Sequence, residues 1–162
     1  FMAVWIIAYG AVQALAPRLL RADDLPPAAI ADKAVFWAGL LVPIPFALAL
    51  AAAAAGGPAP WLTGLLIGGL MLFGFVFAVN SSLHSYLILA FGSAQRISRD
   101  VGFYYMANAA GRLVGTLLSG AVFLAGGMQA CLWCSAGLVL LSLLSSLRLP
   151  AVPRTAVAAG SA

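Results

Sequence analysis

From Trp61 to Phe91 the chain runs for 31 residues without one Asp, Glu, Lys or Arg. As a helix this stretch is about 46 Å long, against a bilayer hydrocarbon core of about 30 Å. Its length forces it to tilt or to protrude. Such a run is stable in lipid because a helix satisfies every backbone group internally. Four more apolar runs accompany it, at about 1–20, 34–55, 101–125 and 130–147. With 64% hydrophobic and 7% charged residues, the chain reads as an all-α polytopic membrane protein of five transmembrane helices. The lipid bilayer is its first partner, and a water-soluble enzyme is excluded.

The connections sort themselves by charge. Residues 18–33 form a charged loop broken by Pro26-Pro27, and 92–100 form a second. Gly56–Pro60 and Gly126–Gln129 are tight uncharged turns, and 150–162 is a Pro- and Ala-rich tail that reads as disordered. One bundle, 1–149, precedes that tail. Pro43 and Pro45 in the second run predict a kink, which membrane helices tolerate when neighbours satisfy the freed carbonyls. Arg18, Arg21, Lys33, Arg96, Arg99, Arg148 and Arg154 all fall on the side shared by the two charged loops and the tail. The other side has no Lys or Arg, so the charged side is expected in the cytoplasm, with the C-terminus inside a plasma (inner) membrane. Five spans then place Phe1 outside, an odd count that predicts further helices upstream. The absence of a basic segment near Phe1 gives no support to a signal peptide. The net charge of +4 is spread over short loops without a stripe, which argues against nucleic acid as a partner.

The polar residues inside the apolar runs are the candidates for function, because such groups are costly in hydrocarbon. They gather between Asn80 and Arg112. Asn80 and His84 stand i,i+4 on one helix, and Tyr104, Asn108 and Arg112 repeat that spacing on the next, so each set shares a face. Folding the two helices about Arg96 sets Asn80 level with Arg112 and His84 level with Asn108. Tyr105 adds a phenol, and Gln13 in the first run sits i,i+4 from Tyr9. The first, third and fourth runs are therefore expected to line a cavity, and the nearly non-polar second and fifth to face lipid. For His84, Asn80, Asn108 and Gln13 the competing reading is a helix-to-helix hydrogen bond. For Arg112 it is snorkelling to the interface, which its position about 16 Å into a helix starting at Val101 disfavours.

Other features carry less. Ala107, Gly111, Gly115 and Ser119 form a small-xxx-small stripe suited to close helix packing. Cys131 and Cys134, in Cys-Leu-Trp-Cys, read as small buried hydrophobes, with a soft-metal or redox role as the alternative. No zinc site is expected, since the single His lies in another run. All four carboxylates, Asp23, Asp24, Asp32 and Asp100, lie in the charged loops. With no nucleotide-binding loop, no HExxH and no paired acids, catalytic residues, cofactors and metals are all expected to be none.

Three stretches carry a family resemblance. F-A-V-N-S-S-L-H-S-Y-L-I-L (77–89), D-V-G-F-Y-Y-M-A-N-A-A-G-R-L-V-G-T-L-L-S-G (100–120) and A-C-L-W (130–133) resemble the C-terminal half of organoarsenical efflux permeases of the ArsJ type, in the major facilitator superfamily. A-V-W-I-I-A-Y-G-A-V-Q-A-L-A-P-R-L (3–19) is similar to the corresponding earlier helix. The resemblance implies a twelve-helix fold of which this chain would be the last five helices. The N-terminal helices of the same transporter would then be its missing partner, and the chain alone would not transport. It also implies efflux of 1-arseno-3-phosphoglycerate, a small anionic substrate, for arsenate resistance.

The expected function is thus a membrane transporter whose substrate-binding residues are Arg112, Asn108, His84, Asn80, Tyr105, Tyr104 and Gln13. A permease for another phosphorylated or anionic metabolite is the alternative within that class. A non-catalytic membrane scaffold would suit the small-residue stripe but leaves Arg112 unexplained. An intramembrane enzyme would need a nucleophile–base pair that the sequence does not display.

Overall fold

The computed structural model describes residues 2–20, 26–91 and 97–148, and these are helical throughout apart from short turns. The helices are α1 (Met2–Leu19), α2 (Pro27–Leu41), α3 (Pro43–Ala55), α4 (Pro60–Phe91) and α5 (Ile97–Leu147). The segments 28–55, 60–88 and 98–147 are each long and apolar enough to cross a membrane. The tail 150–162, the charges Arg21, Asp23, Asp24 and Arg154, and the hairpin centre at Arg96 lie outside the described residues.

Helix boundaries follow local chemistry. α2 begins at Pro27, seven residues before the expected Ala34, so Asp32 and Lys33 are helical. The reason is Pro26-Pro27: Pro26 is extended, and proline at the first helical position gives up an N–H that has no partner there anyway. Between α2 and α3 the chain bends at Val42, ahead of Pro43 and Pro45, where two backbone donors are missing. α3 ends on Gly56 with φ +63°, a left-handed cap that its lack of Cβ permits. Lys33 Nζ donates to the Leu20 carbonyl just past the end of α1, tying the two ends of that connection together.

α5 is not straight. Gly126 (φ −152°) and Gly127 (φ +66°) break it, and the backbone doubles back there into an N-terminal arm (97–125) and a C-terminal arm (128–147). Cys131 Sγ donates to the Ser119 carbonyl at 3.6 Å. In a straight helix those residues would be about 18 Å apart along the axis.

The core is built around α4. Val79 and Leu83 pack with Ala16 of α1 and Ile30 and Ala34 of α2, while Leu48 and Ala49 of α3 pack with Leu132 of the C-terminal arm. Two glycines of α4 allow close approach. A Cβ at Gly74 would meet the Trp5 indole at 2.6 Å, and one at Gly69 would meet Leu48 at 2.7 Å. Trp5 also donates to the Leu70 carbonyl (3.3 Å), and Phe46 meets Trp133 edge to face.

The expected division into cavity helices and lipid-facing helices therefore needs adjustment. α2 buries one face, with Ile30, Ala34, Ala38 and Leu41, and exposes Phe36 and Leu40 on another. No residue from 101 to 125 is buried. The small-residue stripe is not packed shut either: Ala107, Gly111, Gly115 and Ser119 are all exposed.

Candidate functional site

An open cleft of about 680 Å³ lies between α1, α4 and the N-terminal arm of α5. Tyr9 and Gln13 reach it from α1, Phe77, Ser81 and Ser85 from α4, and Tyr104, Tyr105, Asn108 and Arg112 from α5. Among the described residues, no carboxylate lines it. Of the seven residues expected from sequence, the structure brings five together here: Arg112, Asn108, Tyr105, Tyr104 and Gln13.

Asn80 and His84 lie elsewhere. The buried ridge of Val76, Val79 and Leu83 fixes the rotation of α4. One residue along a helix is a turn of about 100°, so this rotation presents Ser81 and Ser85 to the cavity instead of their neighbours. His84 Nδ1 donates to the Asn80 carbonyl one turn back (2.9 Å). The Asn80 side-chain oxygen is buried without a hydrogen-bond partner. The facing register also differs, because the observed partner of α5 on α4 is Ser85 with Tyr104, where His84 opposite Asn108 was expected. Phe77, Ser81 and Ser85 are not among the residues expected from the sequence, and Tyr9 entered there only through its spacing to Gln13. Their signal was present: Ser81 and Ser85 repeat the i,i+4 spacing one position on from Asn80 and His84.

Hydrogen bonds divide the lining into braced and free groups. Ser85 Oγ donates to the Ser81 carbonyl (3.0 Å), so the Tyr104 hydroxyl, 3.0 Å from the same Oγ, is the donor in that pair. Gln13 Nε2 donates to Ser81 Oγ (3.4 Å), and Ser82 Oγ donates to the Gln13 carbonyl (3.1 Å). This chain of bonds braces α1, α4 and α5 along one wall. On the opposite wall the Arg112 guanidinium and the Asn108 carboxamide make no hydrogen bond or ion pair among the described residues; the single ion pair there is Arg99 with Asp100 (3.9 Å). Tyr105, 65% exposed, stands beside them with its ring against Tyr104.

Arg112 lies midway along the N-terminal arm, about 21–23 Å along the axis from both Ile97 and Gly126. An arginine side chain reaches about 6–7 Å, too short to bring the guanidinium from there to either end of the arm. The cavity therefore offers one fixed cation, an amide and a phenol, facing a braced wall of hydroxyls and two aromatic rings, Tyr9 and Phe77. Such a lining is chemically able to take a small anion with a polar or hydroxylated body. No group of three or more His, Cys, Asp or Glu side chains able to hold a metal ion occurs among the described residues. No family model, no curated protein and no solved structure matches the chain.

Proposed function

We propose that the Arg112 cavity binds a small organic oxyanion within the membrane, and that the chain belongs to a carrier that exports it. The observation carrying this reading is a guanidinium at the middle of an apolar helix that, among the described residues, has no ion pair and no carboxylate on its cavity. A charge at that depth costs about 2.5–3.5 kcal/mol on insertion scales. A bound anion offsets that cost. Phosphate and arsenate esters suit it best, because a guanidinium fork grips two of their oxygens at once.

The finer assignment rests on the family resemblance of 77–89, 100–120, 130–133 and 3–19. On it, the substrate is 1-arseno-3-phosphoglycerate and the protein is a major facilitator exporter conferring arsenate resistance. Five crossings are then formed by α1, the bent α2–α3 pair, α4 and the two arms of α5, with the charged ends in the cytoplasm. Further helices of the same transporter complete the cavity over the exposed N-terminal arm. A second reading, export of a different phosphorylated metabolite, is favoured by the lining itself, which holds an oxyanion-binding guanidinium and nothing selective for arsenic.

The test uses the complete transporter in cells that are given arsenate and form the ester. A lower cellular arsenic load than in cells without it supports the arsenical reading. An unchanged load together with export of another phosphorylated metabolite transfers the assignment to the second reading. Export of neither overturns both.

A further inference from the structure

The two cysteines lie away from the anion cavity, in a groove between the arms of α5. This groove is lined by Gly115, Ser119, Cys131, Cys134 and Ser135, among others, and its cavity is about 60 Å³. Both thiols are free. Their i,i+3 spacing places them on one helix face with Cβ atoms about 5–6 Å apart. Cys131 Sγ donates a weak hydrogen bond to the Ser119 carbonyl, 3.6 Å. Opposite them stand Gly115 and Ser119, and the Cβ position of Gly115 opens on empty space, with no atom within 4 Å. A volume of 60 Å³ is about twice the share of one water molecule in the liquid. It has room for a single ion.

We propose that Cys131 and Cys134 form a two-sulfur site for one soft, thiophilic d10 cation of the Cu(I) or Hg(II) type. Zinc in protein sites takes four ligands, or three and a water, and this groove has too few. Soft ions that accept two thiolates in line do not need more. At about 2.3 Å per metal–sulfur bond, a linear unit spans about 4.6 Å between sulfurs, within reach of two cysteines at this spacing. Binding breaks two S–H bonds, forms two S–metal bonds and releases two protons, with no change of oxidation state. The site lies about 6–10 Å along the helix from Gly127, towards the end of the arms opposite Arg148. The inference is independent of the function proposed for Arg112.

The 162-residue chain contains two cysteines, so the stoichiometry is read directly. Hg2+ is titrated into the protein in detergent, following the sulfur-to-mercury ultraviolet band and the thiols left for maleimide. One equivalent is expected to saturate the band and to block both thiols. In Cys131→Ala and Cys134→Ala one equivalent should block the one remaining thiol, with affinity lower by about a hundredfold or more, the scale of a lost second attachment. Uptake of two independent equivalents by the wild-type protein, one per thiol, overturns the proposal. That result is decisive even if an alanine variant does not fold.

Discussion

α4 and the N-terminal arm of α5 are both apolar helices with polar side chains at i,i+4 spacing, yet the structure uses them in opposite ways. α4 is wedged between α1, α2 and α3, with Val76, Ala78, Val79, Ser82 and Leu83 buried. Its polar groups are largely consumed internally: Ser82 bonds the Gln13 carbonyl, His84 the Asn80 carbonyl, and Ser85 bridges Ser81 and Tyr104. The N-terminal arm of α5 has no buried residue between 101 and 125, and Asn108 and Arg112 have no hydrogen-bond or ion-pair partner among the described residues. In an apolar solvent, a polar side chain is structural where a neighbouring helix arrives to satisfy it. Where none arrives, it remains available to a ligand.

That contrast can be broken by substitution. The largest effect is expected for Leu83→Ala. Its side chain is 2% exposed among Ile30, Ala34 and Ala16, and the cavity left behind should cost about 2–4 kcal/mol. The same change at Leu113, 63% exposed on the open arm, should alter stability by less than about 0.5 kcal/mol. Equal losses at both positions, measured by reversible unfolding in micelles, would erase the distinction between the two helices. Next comes Gly74→Ala, where the new methyl meets the Trp5 indole. Overpacking of this kind costs about 1–3 kcal/mol, and Trp5→Ala in the same chain should recover part of it. Smaller again is Tyr104→Phe, which removes the one described side-chain hydrogen bond between α4 and α5. Hydrogen bonds between helices in lipid average about 0.6 kcal/mol, and a loss well above 1.7 kcal/mol would show that the brace holds more than one contact.

The membrane character and the polar cavity were legible in the sequence because both follow from one-dimensional facts: run length, charge placement and i,i+4 spacing. Arg112, Asn108 and Tyr104 share a face whatever their helix packs against. The rotation of α4 was not legible in the same way. It is decided by which ridge, Val76–Val79–Leu83 or another, fits Ala16, Ile30 and Ala34, and a turn of about 100° exchanges Asn80 and His84 for Ser81 and Ser85. The early start of α2 was written in Pro26-Pro27, but a charged stretch with two prolines reads equally as loop. The burial of α2 was hidden by its composition, since an apolar helix without polar residues looks alike in lipid and against protein.

Binding of the proposed anion by Arg112 is tested most directly by export in Arg112 variants of the complete transporter, at equal expression and membrane insertion. Arg112→Ala is expected to abolish export, a loss of a hundredfold or more for a charge-assisted contact worth about 3 kcal/mol. Arg112→Lys should retain a small part of it, because an ammonium keeps the charge but loses the bidentate fork. Wild-type export by Arg112→Ala would show that this arginine is structural and that the anion binds elsewhere.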